Sequence, residues 1–256
     1  MPKPLRYVNA VAQALNDAMA ADPAVMLMGE DVAAAGGPFK ATRGLLDAHG
    51  PERVRDTPIS EASLVGAAVG AALTGMKPVV EIMFMDFVTL AMDAVVNQAA
   101  KARFMFGGQC SVPMVLRTPH GGGLNAGPQH SQCLEAWFAH IPGLRVVCPA
   151  TVADAYSLLR TAIEAPDPVV VVENKALYAL QGDIDVTARA RSARRASTGR
   201  AATPPSSRTA PPSTPPAPPP TGWPPRASRR RSSICAGFSP GTRRPSSPPS
   251  PRPTGW

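Results

Sequence analysis

Two residues stand where acid–base chemistry would be placed. Glu61 opens the segment SEASLVGAAVGAALTG (60–75) and is the one carboxylate in an otherwise apolar, helix-forming run. A helix dipole favours a negative charge in its first turn, while the apolar neighbours Leu64 and Val65 would raise the carboxyl pKa. That balance suits a group that shares a proton, although an ordinary helix-start acid fits the position as well. His130 ends the glycine-rich stretch TPHGGGLNAGPQH (118–130). An imidazole on such a loop can give or take a proton near neutral pH; a hydrogen-bonded structural histidine would look the same. Glu30 and Asp31 follow a short apolar run and read either as site acids or as plain loop acids. Phe84 and Phe87 could wall a ligand or simply fill the core. The chain contains no HExxH, no GxSxG, no P-loop and no GxGxxG after a strand, so the common zinc-protease, hydrolase, nucleotide and dinucleotide signatures are missing.

The elements that must position these residues alternate. Residues 7–21 carry Val8, Val11, Leu15, Ala18 and Met19 at helical spacing, and Pro23 ends that helix. Ala24–Met28 is a short continuous apolar run, as in a buried parallel strand. A short helix at Arg43–Ala48 precedes an extended Val54–Ile59, where Pro58 disfavours helix at Thr57. Ser60 is a suitable N-cap for the helix that runs to Gly75. Its Gly66, Ala67, Gly70 and Ala71 make it thin enough for close approach by another backbone. Strands are predicted at Pro78–Met83, Val112–Arg117, Leu144–Cys148 and Pro168–Glu173, and helices at Asp86–Phe104, Ser131–His140 and Thr151–Ala165. This alternation predicts an α/β domain with a mainly parallel sheet. Ligands of such sheets gather beyond the strand C-termini, and Glu30, Glu61, Met85–Phe87 and the glycine-rich loop all follow predicted strands.

Composition confines the fold to the first 187 residues. The chain has 256 residues and a net charge of +8. Residues 1–187 hold all 18 acidic groups and net −5, whereas residues 188–256 hold 13 arginines, no acid and 17 of the 31 prolines. That segment has no Val, Leu or Met and is expected to be a disordered tail, because it cannot bury enough apolar surface to offset its ordering entropy. The four cysteines form no CxxC pair and no zinc spacing, so no metal site is expected and a reducing compartment is. No uninterrupted apolar stretch is long enough to span a membrane, and no clean signal sequence opens the chain. A cytoplasmic location follows as an expectation.

Six motifs then occur in order: GEDV (29–32), DTPISE (56–61), EIMFMDF (81–87), NQAAKARFMFGG (97–108), GPQHSQ (127–132) and IPGLRVVCPA (141–150). Together, over about residues 5–185, they resemble the beta subunit of the thiamin-dependent decarboxylating component of 2-oxoacid dehydrogenase complexes, shared by pyruvate, branched-chain and acetoin dehydrogenases. The resemblance implies a thiamin diphosphate-binding fold like the pyrimidine domain of transketolase. It implies that Glu61 hydrogen-bonds the aminopyrimidine and favours the tautomer that removes the thiazolium C2 proton. It implies that Phe87 stacks on the pyrimidine, that His130 faces the thiazolium and assists acyl transfer to a lipoyl group, and that Glu30 lies in a polar channel between paired sites. The chain lacks the GDG motif that holds magnesium and diphosphate. The resemblance assigns that half to an alpha subunit in a heterotetramer, beside a lipoyl domain and an acyltransferase core, with a small 2-oxoacid as substrate.

Residues 188–256 depart from the pattern, which would continue into a second transketolase-like α/β domain. Three readings arise: a basic extension, a nucleic-acid-binding arm, and an out-of-frame translation of that second domain. The third is favoured, because GC-rich codons for Ala, Val, Asp, Glu and Leu become Pro, Arg, Ser and Thr codons one base off. The favoured partners therefore include neither nucleic acid nor membrane. The competing functions are a transketolase-like thiamin-dependent synthase and, from another class, a non-enzymatic nucleic-acid-binding protein acting through the basic tail.

Overall fold

In the computed structural model the described residues are 4–187. The tail expectation for 188–256 lies outside them. A two-residue strand β1 (Leu5–Arg6) leads directly into helix α1 (Tyr7–Ala21), with the bounds the periodicity predicts. The face of α1 made by Tyr7, Ala10, Val11, Ala14, Leu15, Ala18 and Met19 is buried. Burying a side chain such as Leu15 contributes about 1.5–3 kcal/mol, so this face rather than helix propensity anchors the element.

Strand β2 (Val25–Gly29) follows, then a short helix α2 (Leu45–His49), strand β3 (Val54–Asp56), helix α3 (Glu61–Leu73) and strand β4 (Lys77–Glu81). A helical stretch comes next and ends in α4 (Ala100–Met105). Strand β5 (Val115–His120), helix α5 (Glu135–Ala139), strand β6 (Arg145–Val147), helix α6 (Val152–Ile163), strand β7 (Val169–Asn174) and strand β8 (Gln181–Gly182) complete the order. Six strands make one sheet in the order β3-β2-β4-β5-β7-β6, with every neighbouring pair parallel. The predicted α/β class and parallel sheet are what the chain adopts. β1 and β8 form a separate antiparallel ribbon, Leu5 opposite Gly182, which sequence patterning did not indicate.

The sheet is covered on both faces, and the strand period sorts the core. Val25, Leu27, Val79, Val115, Val169 and Val171 point into one apolar cluster, with α1 and α6. Val80, Leu116, Val170 and Val172 point into the other, with α3 and the 85–102 stretch. Alternate residues thus feed opposite layers. Among the described residues no helix is long and apolar enough to cross a membrane.

Four local expectations are corrected. The helix predicted over Asp86–Phe104 changes pitch: a 3₁₀ turn spans Met85–Ala91, a π segment spans Ala94–Ala99, and only Ala100–Met105 is regular α. Gly143 packs on this stretch, where any Cβ would overlap the Ala100 carbonyl, and its φ of +99° independently selects glycine. The helix predicted from Ser131 begins only at Glu135; a 3₁₀ turn at Pro128–His130 precedes it, and Ser131 Oγ donates to the Gly127 carbonyl. The glycine-rich loop is shorter than its sequence suggests, because Thr118, Pro119 and His120 extend β5. Ser60 does occupy the N-cap of α3, but its hydroxyl donates to Ser63 Oγ at 2.8 Å and caps no helix N–H.

Candidate active site

The C-terminal ends of four neighbouring strands carry the predicted residues. Glu30 follows β2, Glu61 follows β3, Phe87 follows β4 and His130 follows β5, in a sheet where β3, β2, β4 and β5 are successive. The parallel arrangement puts all four departures on one edge, as expected of such sheets.

At one end of this edge sit two acids. Gly29 closes β2 against β4 so tightly that a Cβ would lie 2.8 Å from the Glu81 carbonyl oxygen and 2.7 Å from Val32 Cγ1. Only glycine lets Glu30 leave the sheet there. Asp31 then turns the chain with a φ of 56°. Glu30 is 5% exposed and its Oε1 is buried without a hydrogen-bond partner. Burial pushes its pKa up, and the Glu61 and Asp31 charges push it further. Glu61 is itself buried at the first position of α3, near enough for its charge to act on Glu30.

Beside them lies an aromatic cradle. The His130 ring packs edge-on against Phe84 at 4.7 Å between centroids and against Phe87 at 5.4 Å. Lys175, directly after β7, is buried and holds this turn by donating from Nζ to the His130 carbonyl oxygen, while standing 5.0 Å over the Phe84 ring. Burial pulls the Lys175 pKa down. Asp86 accepts from the Gln132 amide at 3.3 Å and from Gln132 Nε2 at 2.8 Å, and the Leu134 amide donates to Met85 Sδ at 3.1 Å. The MFMDF turn therefore grips the segment that follows His130. Asp86 Oδ2 is buried and has no hydrogen-bond partner.

Further into the sheet lies a charge cluster that sequence reasoning missed. Arg117, fully buried on β5, donates from Nε and Nη2 to Glu173 at 2.9 and 2.7 Å, and from Nη1 to Glu81. The Tyr178 hydroxyl donates to Glu173 at 2.8 Å. Burial raises the pKa of Glu81, and the Arg117 charge opposes that rise. A single arginine in the apolar run VPMVLRTPH, with lone glutamates ending PVVE and VVVVE, was the readable signal. Buried charges of this kind persist only when paired. Lys175, Asp86 and Gln132 were likewise not predicted as site residues, although Asp86 and Gln132 both fall within quoted motifs.

Chemically, the edge offers two buried carboxyl groups, an apolar aromatic wall and a positioned imidazole. Comparison with known proteins fits this inventory. The family described as "Transketolase, pyrimidine binding domain" matches residues 3–181. The chain is 51% identical over 176 residues to the pyruvate dehydrogenase E1 component subunit beta-2, mitochondrial, of Oryza sativa subsp. japonica, a match covering 69% of this chain and 47% of that protein. It is 45% identical over 194 residues to the acetoin:2,6-dichlorophenolindophenol oxidoreductase subunit beta of Cupriavidus necator (72% and 57% covered). It is 43% identical over 176 residues to the 2-oxoisovalerate dehydrogenase subunit beta of Bacillus subtilis (69% and 54% covered). A solved structure described as a split gene transketolase, inactive beta4 tetramer, shares the fold with a TM-score of 0.57 at 20% identity, over 72% of this chain and 56% of that one. The chain spans about half the length of the curated relatives it matches. With that family model matching residues 3–181, the chain belongs to the transketolase pyrimidine-binding domain family.

Proposed function

We propose that this chain provides the thiamin-pyrimidine half of a 2-oxoacid dehydrogenase active site. The reaction is oxidative decarboxylation of a 2-oxoacid (pyruvate or a branched-chain 2-oxoacid, or the cleavage of acetoin), with acyl transfer to lipoamide. The observation that carries this reading is the burial of both Glu61 and Glu30 just beyond the ends of the adjacent strands β3 and β2. When bound, thiamin diphosphate supplies the electron sink that such a decarboxylation needs.

The residues present fit the pyrimidine half of that cofactor. Glu61 offers a carboxyl at a helix start, where the dipole supports its anion. Burial and the nearby Glu61 charge push the Glu30 pKa up, and carboxyl groups in so poorly solvated a place suit a hydrogen bond to a ring nitrogen. Phe87 offers an apolar wall, and the orphaned Oε1 of Glu30 and Oδ2 of Asp86 offer acceptors toward the same edge. His130 is held by its backbone through Lys175, which leaves the imidazole free to move a proton during acyl transfer. Because the chain has no GDG sequence, magnesium and diphosphate are assigned to an alpha subunit. The small-residue outer face of α3 and the exposed Phe104, Met105 and Phe106 support such a contact. A lipoyl domain and an acyltransferase core complete the partners. The free thiols Cys110, Cys133 and Cys148 support a reducing, cytoplasmic setting.

The domain reading belongs to the same proposal: residues 1–187 are the pyrimidine-binding domain, and residues 188–256 are an out-of-frame version of the second one. The nucleotide sequence tests it, since shifting the frame by one base must yield acidic and aliphatic residues and no stop codons. Function is tested by co-expressing the frame-restored chain with a candidate alpha subunit and measuring 2-oxoacid-dependent acyl transfer. Glu61→Gln should abolish turnover while leaving assembly intact. Wild-type turnover in that variant would sink the assignment.

A further inference from the structure

We propose that His120, Cys133 and Glu135 form a binding site for a single zinc-class divalent ion, which would tie the end of β5 to the segment that carries His130. One ligand atom from each of the three lies within 4.8 Å of the other two. His120 is the last residue of β5, Glu135 the first of α5, and Cys133 lies in the connection between them. The site uses none of Glu30, Glu61, Phe87 or His130, so it stands or falls apart from the proposed function.

A second observation points to a ligand. His120 is nine-tenths buried, and its Nδ1 faces Glu135 Oε2 at 3.4 Å. Both atoms are buried and have only this long ion-pair contact with each other, with no further hydrogen-bond partner. At that spacing the imidazole and carboxylate satisfy each other poorly. The spacing is what a shared ion would impose. With Zn–N and Zn–O bonds of about 2.1 Å at a tetrahedral angle, the N···O edge is about 3.4 Å. A thiolate at about 2.3 Å from the metal would sit about 3.6 Å from the nitrogen. Cys133 is exposed and outside any helix or strand, so its sulfur can close that gap. One nitrogen, one thiolate and one carboxylate match zinc's preference for mixed N, S and O donors. The two anionic donors balance the ion's charge, and the solvent side of Cys133 leaves the fourth position open. The ligands come from positions 120, 133 and 135, a pattern that the cysteine-spacing rules do not cover.

The ion would act on the loop as well as on stability. Gln132 and Leu134, on either side of Cys133, are already fixed by Asp86 and Met85. Coordination at Cys133 would lock the remaining residue between them, three positions from His130.

The test uses the reduced full-length chain and cobalt(II) as a spectroscopic probe, with zinc as competitor. One equivalent of cobalt should bind with a thiolate-to-metal charge-transfer band in the near ultraviolet, and zinc should bleach it. Cys133→Ser should abolish the band. His120→Gln and Glu135→Gln should each weaken zinc binding at least tenfold by calorimetry, with circular dichroism establishing that each variant is folded. Cys110→Ser should change nothing. Absence of the band in folded wild-type protein would overturn the proposal, and so would a band that survives Cys133→Ser. Should His120→Gln fail to fold, the exposed Cys133 position still decides the matter.

Discussion

The Arg117 cluster and the Glu30–Glu61–Asp86 edge are built from the same residue types on the same end of the same sheet, and they are finished differently. Around Arg117, two glutamates and a tyrosine complete one another within the chain. Around Glu30 and Asp86, buried oxygens remain without partners. A buried charge network that closes on itself serves the fold. One that stays open in a single chain leaves acceptors available to a ligand or a second subunit. The contrast separates closed from open acids where burial alone cannot, since Glu81, Glu173, Glu30, Glu61 and Asp86 are all buried.

The sharpest way to break this contrast is Arg117→Met. It would leave two buried carboxylates uncompensated and should cost about 3–5 kcal/mol in urea denaturation; a loss under about 1 kcal/mol would mean that the cluster is not the anchor described. Asp86→Ala, on the open side, strands the Gln132 amide and should cost about 1–3 kcal/mol. Its distinctive sign is faster hydrogen exchange at Gln132 and Leu134, and unchanged exchange there would separate Asp86 from the His130 turn. Thr151→Ala removes the capping box that Thr151 and Asp154 form at the start of α6. It should cost about 1 kcal/mol and calibrates both sides, since it touches neither.

Glu30→Gln gives the smallest effect and the most telling sign. Because the folded chain raises the Glu30 pKa, its contribution to stability is fully present below the unfolded pKa and is lost as pH rises through the folded value. The wild-type chain therefore carries a cost at neutral pH that glutamine removes. Glu30→Gln should raise the Tm at pH 7, and the gain should vanish near pH 4. The opposite sign would place Glu30 among the satisfied acids.

Much of this was legible in the sequence, for identifiable reasons. The period of α1 fixes its ends, and short apolar runs mark strands buried on both faces. Placing Glu30, Glu61, Phe87 and His130 on one edge then needs only the parallel-sheet rule. What escaped depends on partners remote in sequence. The helix predicted from Ser131 does not start there because Asp86 and Met85, more than 45 positions away, take the amides of Gln132 and Leu134. The stretch after Met85 keeps helical periodicity whether its turns are 3₁₀, π or α, so pattern alone does not reveal its pitch. Arg117 finds its glutamates 36 and 56 residues away. His120, Cys133 and Glu135 are close in sequence, yet only the bend after β5 turns them toward one another.

The β1–β8 ribbon has a consequence for how this unit travels between proteins. Leu5 lies opposite Gly182, and the Tyr7 amide donates to the Leu180 carbonyl at 2.8 Å. The described fold therefore begins and ends at one point on its surface, like a cassette with both connectors on the same side. Such a unit can be spliced into a host chain, or cut open at the glycine-rich loop and rejoined through a short linker between residues 5 and 182, without asking either connection to cross the sheet. Tags or reporters placed at the two ends would sample the same patch of surface, which makes this ribbon the natural graft point for rebuilding whatever follows the domain.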